Sequence, residues 1–550
     1  MRKKLVLPAA LAAVGALLLI VAAFGGTGSA TASAGKTVAK KGGTLRINAS
    51  NLDFEFTDEG LAYDTFGWAM LYPTNLMLVN YPEKNGQEGG QLYPEGASAF
   101  PTVSKDGKTY TFKIRPDQKF SDGTAVTAAL YQRALERNLS PAMGSPVGVN
   151  VQMDKILAGG EDFLNGKTQH ISGVSAKGQT LTVKLVKPNA TFVSIMAMQW
   201  FGAVPVSTPY SESGLDKVPS AGPYYIKSLD KGRTLVQVRN PNYKGTRPAN
   251  PDQMVYTLNT DQDQSLLQIK SGQVDVDAYG TPPTQNAALG DQYGVNKTQF
   301  HVGPTSCVLY WAMNTSRAPF NNLAVRKAVE WGLDRPAMVR LLGKYTGKRT
   351  DQILLPGIPG FGDFHLYAIK GADVAMAKKV GGAAISGTVN IMHTTSPLAT
   401  NIAQIAAYNL QQIGFQTKDK PFPSSVYYKT LGTRGVDFDI ARAGWCADFF
   451  DPFDYINVLL DGRSIQDKNN VNFAYLSSPT LNAAMDKAAN LSGQARAKAY
   501  AALDLNIMKN FAPWAPYSIL NQPFFTAKRV SNWVYQPYFG EPAYNALAVG

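Results

Sequence analysis

The segment Gly435–Asp454, GVDFDIARAGWCADFFDPFD, gathers in twenty positions most of the side chains in this chain that could do chemistry. Asp448 follows an apolar alternation (Phe438, Ile440) and a Gly-Trp-Cys corner, so its carboxylate is expected to be fixed and partly desolvated, which suits it to receive an ammonium group. The alternative is that Asp448 caps a turn or helix before Pro452. Arg442 and Gly444 lie two apart and share one strand face. The guanidinium suits bidentate carboxylate recognition, or equally a salt bridge to Asp437, Asp439 or Asp451. Trp445 either packs beneath a ligand or belongs to the core. Asp448, Asp451 and Asp454 fall three apart, but Pro452 breaks the helix that would align them and no Gly-centred calcium loop is present, so no metal site is expected.

Enzyme signatures are weaker still. Gly160–Thr168, GEDFLNGKT, has five residues between its glycines where a phosphate loop has four, and no buried strand precedes it. The four histidines, His170, His301, His365 and His393, are scattered without zinc spacing. No G-x-S-x-G elbow occurs. The expectation is a protein with no catalytic residues and no cofactor. Net charge is +13, yet the basic residues are dispersed as on a solvated surface, which argues against nucleic acid.

Several elements are readable around the segment. Residues 42–47, GGTLRI, give a first strand. Tyr110, Phe112 and Ile114 alternate after the Asp106-Gly107 turn, a hairpin with one buried face, and Thr127 is placed to cap a following helix. Residues 179–186 form another strand, and 220–243 two more around Lys231-Gly232. The spacing of Val325, Ala328, Val329 and Leu333 predicts a helix that Asp334-Arg335-Pro336 ends or bends. Residues 401–413 and 479–510 are helical. Mixed hairpins and crossovers over 550 residues predict a multidomain α/β or α+β chain.

The N-terminus reads as an export signal: Arg2, Lys3 and Lys4, an apolar stretch Leu5–Phe24, then A-x-A sites at Ala30–Ala32 and Ala32–Ala34. The apolar stretch is long enough to serve instead as an uncleaved anchor. No Cys follows it, so a lipoprotein is not expected. In an exported chain the two cysteines, Cys307 and Cys446, read as a disulfide, the alternative being two buried thiols.

Six separated segments resemble one family: GGTLRI, SKDGKTYTFKIRPDQKFSDGTAVTA, GPYYIKSLDKGRTLVQVRNPNYKG, LLQIKSGQVDV, NTSRAPFNNLAVRKAVEWGLDRPAMV and DFDIARAGWCADFFDP. In this order they look like the family 5 extracytoplasmic solute-binding proteins of ABC importers (the peptide, dipeptide, oligopeptide and nickel-binding group), over about residues 42–540. ARAGWCAD is most similar to the oligopeptide-binding branch. The resemblance implies that Cys307 and Cys446 are joined, that Asp448 receives a peptide's α-amino group and that Arg442 can meet a peptide carboxylate. Where some members of that branch have a histidine for the ligand carboxylate, this chain has Ala399.

The resemblance also implies an α/β, two-lobed periplasmic-binding-protein-like fold, type II in its large three-domain variant, hinged between lobes. The expected division is a signal peptide or anchor at 1–34, a tether at 35–42, lobe I from 43–76, 204–306 and 515–550, an inserted domain at 77–203, and lobe II at 307–514. The implied function is capture of peptides outside the cytoplasmic membrane, in the periplasm or beyond. A monomer, associated peripherally with the membrane, would deliver them to permease and ATPase subunits of an importer. The rival readings are the same fold binding an oligosaccharide, nickel complex or haem, or a secreted cell-wall peptide hydrolase.

Overall fold

The computed structural model describes residues 40–550 except 51, 53–55, 146–147 and 149–150, so the expected signal segment lies outside the described residues. Among the described residues no helix is long and apolar enough to cross a membrane.

The first strand, Thr44–Ser50, buries Leu45, Ile47 and Ala49 on one face, as period-two alternation requires. It pairs in parallel with Gln253–Thr260 on one side and Val276–Asp277 on the other. Gln253–Thr260 then runs antiparallel to Thr234–Arg239, and that strand to Tyr224–Asp230, completing a five-stranded sheet. The hairpin around Asp106-Gly107 belongs to a separate four-stranded antiparallel sheet, in which Thr109–Lys113 pairs with Thr180–Lys184. Gly107 takes φ 69° in that turn. Tyr110, Phe112 and Ile114 point inward beneath the helix Ala128–Leu139. Thr127 occupies the cap position of that helix, but its hydroxyl makes no capping bond.

The third large sheet has six strands in the spatial order 347–348, 514–525, 300–313, 440–446, 388–394, 416–422. Its two longest strands, Phe300–Met313 and Trp514–Phe525, run antiparallel, with a register shift between Pro304 and Val308. The expected lobe boundary at 306/307 lies within the first of these strands, at its register shift, and that at 514/515 lies at the start of the second. One end packs Phe300 and Phe525 with Leu266, Ile269 and Leu289 near the five-stranded sheet. The other packs Trp311, Met313, Ala515 and Tyr517 among the helices flanking the six-stranded sheet.

Local start and stop signals explain the remaining differences. The helix Leu323–Gly332 is capped by Asn322, and Pro336 does more than end it. It sits in the first turn of a new helix, Arg335–Leu342, where its missing N–H costs nothing, and Asp334 caps that helix by accepting from Ala337 N at 3.0 Å. The helix expected at 401–413 begins earlier, at Pro397, capped by Ser396. The stretch 479–510 divides into Pro479–Ala489 and Gly493–Asn510.

Candidate functional site: an acidic corner in an aromatic-walled cleft

The strand Ile440–Cys446 pairs antiparallel with Phe300–Met313, setting Cys307 opposite Cys446 and Trp311 opposite Arg442. Cys307 and Cys446 form a disulfide. On its other side the strand is met by 388–394 only at Ile440 and Ala441. Among the described residues, the edge from Arg442 to Cys446 therefore has no strand neighbour there. A Cβ at Gly444 would come within 2.8 Å of Leu309 Cδ2, so a larger residue here would push that leucine side chain aside.

Beyond Cys446 the chain turns a corner into the helix Pro452–Leu460. Asp451 is its N-cap, accepting from Phe453 N at 2.9 Å, so the capping role falls to Asp451 and not to Asp448. Asp451 also pairs with Arg496 at 2.6 Å, and Arg496 reaches Thr191 Oγ1 at 2.6 Å. Asp454, fully buried, accepts from Trp445 Nε1 at 2.9 Å and from the Asp448 amide at 3.0 Å. It holds the indole and the corner in fixed relation. The three aspartates thus have separate partners, and no group of three or more metal-ligating side chains converges among the described residues.

Asp448 is only 3% exposed. Its Oδ2 accepts from the Tyr63 hydroxyl at 2.9 Å, and its backbone carbonyl accepts from the Tyr538 hydroxyl at 2.8 Å. Burial pushes its carboxyl up to about 7, against the Tyr63 hydrogen bond, which lowers it. The Asp454 carboxyl is pushed well up, first by burial and then by the negative charge of Asp448. Among the described residues no cation pairs with Asp448.

These groups face a cavity of about 760 Å³, within the size range of small-ligand sites. One wall comes from Tyr63, Asp64 and Trp68, next to the five-stranded sheet. The other comes from the six-stranded sheet and its helices, with Tyr428, Lys429 and Gly444–Asp448. Asp448, Trp445 and Gly444 are thereby brought together on one surface, and Trp445 is both cavity wall and packed against the core.

Arg442 is not on that wall. Its Nε donates to the Tyr517 hydroxyl at 3.0 Å, beneath the strand. The carboxylates considered as its salt-bridge partners are held elsewhere: Asp437 by Arg317 and Lys420, Asp439 by Arg317, and Asp451 by Arg496. Ala399 is buried in the first turn of the helix Pro397–Ile413, also away from the cavity. Sequence reasoning missed Tyr63, Asp64, Trp68, Tyr428 and Lys429. The Asp64-Thr65 pair before the apolar run FGWAML is a helix-start signal that marks the nearby wall.

The model of the family described as "Bacterial extracellular solute-binding proteins, family 5 Middle" matches residues 91–467. The periplasmic oligopeptide-binding protein OppA of Escherichia coli (strain K12) is 27% identical over 457 residues, 78% of this chain and 79% of its own. The oligopeptide-binding protein OppA of Bacillus subtilis (strain 168) is 25% identical over 468 residues, 81% of this chain and 82% of its own. A solved structure, the clavulanic acid biosynthesis oligopeptide binding protein 2, shares the fold with a TM-score of 0.86 at 24% identity, covering 93% of this chain and 96% of that one. With six strands on one side of the cleft and five on the other, the two-lobed periplasmic-binding-protein architecture is in place, and the chain belongs to family 5 of the bacterial extracellular solute-binding proteins.

Proposed function

We propose that this protein captures peptides outside the cytoplasm, between its two lobes, and delivers them to the permease of an ABC importer whose ATPase is a separate subunit. It acts by binding and release, without chemistry on the ligand. The observation that carries the reading is the Asp448 carboxylate, buried, on the cavity wall, and met there by one hydroxyl and no cation. A ligand ammonium supplies the missing charge. Among the described residues, the edge from Arg442 to Cys446 has no strand neighbour, its Arg442 carbonyl being met by the Tyr427 hydroxyl at 2.6 Å, and it supports a peptide specifically, since an extended backbone can add along the rest of it without reading side chains. Lys429, the one basic side chain on the cavity wall, is better placed than Arg442 to meet the ligand's carboxylate.

The test compares one short peptide with a free and with an acetylated amino end, in the wild-type protein and in Asp448→Ala. Acetylation is expected to weaken wild-type binding by about 3–5 kcal/mol, the cost of leaving a buried charge without its partner. The variant should bind both forms weakly and alike. A wild-type protein indifferent to acetylation, or a variant that still discriminates, would remove Asp448 from the site.

A further inference from the structure

We infer that Thr191 and Arg496 are positioning residues whose hydrogen bond, with the ion pair of Lys187 and Asp486 outside it, latches the two sides of the cleft together and so sets how long a captured ligand stays. The effect on ligand residence rests on the peptide reading above; the latch itself can be tested with no ligand present.

The four residues belong to different parts of the fold. Lys187 and Thr191 stand just beyond the strand Thr180–Lys184 of the four-stranded sheet. Arg496 is on the helix Gly493–Asn510, which leads into the strand Trp514–Phe525 of the six-stranded sheet, and Asp486 is on the preceding helix Pro479–Ala489.

Arg496 is a node with most of its bonds on its own side. Its Nη2 donates to Asp451 Oδ1 at 2.6 Å, and its Nη1 donates to the carbonyls of Ala488 at 3.2 Å and Ala489 at 3.0 Å. Those partners balance the charge and fix the guanidinium, so Arg496 does not need Thr191 to stay in place. The further bond from Nη2 to Thr191 Oγ1, at 2.6 Å, is the one that crosses to the other side, and Thr191 is fully buried. Asp451 caps the helix Pro452–Leu460 three residues after Asp448. One guanidinium therefore ties Thr191 to the corner that carries the proposed ammonium anchor.

Beside this bond the two sides are not packed solid. A cavity of about 310 Å³ separates Lys187 and Asn189 from Phe453, Asn457, Arg463 and Asp486. Bridging here falls to polar bonds. Lys187 Nζ meets Asp486 Oδ1 at 3.0 Å, and Arg463 steadies that carboxylate with bonds of 2.7 and 2.9 Å. The outer pair is exposed and open to screening by salt, whereas the buried bond is not. Opening the cleft breaks both. Each bond made only in the closed form shifts the equilibrium toward closure, and a ligand held between the sides leaves when they part.

The test uses the full chain as wild type, Thr191→Val, which keeps the shape and loses the hydroxyl, and Lys187→Ala. Release of Ala-Ala-Ala is followed by stopped flow through the fluorescence of Trp68 and Trp445 on the cavity wall. Small-angle scattering is recorded on the ligand-free proteins. Thr191→Val is expected to release the tripeptide about tenfold faster with its circular dichroism unchanged, and to show a larger ligand-free radius of gyration than wild type. Lys187→Ala should release it about twofold faster at low salt and like wild type at about 1 M salt. Wild-type release and scattering in Thr191→Val overturn the buried latch, and a Lys187→Ala effect that ignores salt overturns the outer pair. If wild type binds no tripeptide, the peptide reading falls while the latch is judged by ligand-free scattering alone, where identical curves for wild type and Thr191→Val overturn it.

Discussion

At the residue scale, the proposed anchoring role of Asp448 makes capture depend on its ionisation. Burial pushes its carboxyl up to about 7 because it opposes the charged form, while the Tyr63 hydroxyl favours that form. Only the ionised form attracts an ammonium, and an ammonium bound there pulls the carboxyl back down, so binding expels a proton near and below neutrality. Affinity for a peptide with a free amino end should be greatest between about pH 7 and 8. It should fall about tenfold per unit below that, and again above it as the peptide's own amino group (pKa about 7.7–8.0) deprotonates. Calorimetry across pH 5–9, repeated in buffers of different ionisation enthalpy to count the proton released, checks this. Affinity that stays level from pH 5 to 7 would mean the anchor is ionised throughout. Asp448 itself was legible in the sequence because a carboxylate after an apolar alternation and a rigid corner has few places to go. Arg442 was less legible: sharing a strand face with Gly444 fixes only a side chain's starting direction, and its Nε donates to the Tyr517 hydroxyl.

At the scale of elements, the site depends on the disulfide clamping strand 440–446 to strand 300–313 two residues before Asp448. Reduction, or replacement of Cys307 and Cys446 by serine, should lower stability by about 2–4 kcal/mol. It should weaken peptide binding more than it alters secondary structure, because the strands stay paired from Val308 onward while the corner loosens. Thermal unfolding and peptide titration, each with and without reductant, read the two effects separately. Most individual elements were visible from periodicity and turn residues. The other wall of the cleft was not. Tyr63 and Asp64 sit in an irregular approach to a short helix, and Lys429 on a short helix with much exposed surface reads as ordinary solvated charge.

At the scale of the molecule, the cleft lies between sheets, and the chain passes from one to the other through two continuous strands, 300–313 and 514–525. The expected boundary at 306/307 lies inside the first of these strands, and that at 514/515 at the start of the second. Specific contacts span the cleft. Tyr63 meets Asp448, and Arg496 joins Asp451 to Thr191. A ligand that engages both walls should therefore draw the lobes together. Small-angle X-ray scattering on the wild type should show a smaller radius of gyration with saturating peptide than without, from a starting value of about 24 Å for a compact chain of this length. In Asp448→Ala the same peptide concentration should leave the scattering curve unchanged. A wild-type curve that peptide does not alter would mean capture proceeds without closure.

The unpaired strand edge from Arg442 to Cys446 has one more consequence, which concerns neighbours in a crowded compartment. An open edge of backbone donors and acceptors invites other chains to stack on it, and exposed edges are the usual seeds of aggregation. The Gly444–Cys446 part of this one lines a cavity of about 760 Å³ opposite Tyr63 and Trp68 of the facing wall. A short extended segment can enter, but the sheet of another folded protein cannot. The cleft is thus a sieve by bulk as well as a receptor, admitting fragments and turning away intact proteins.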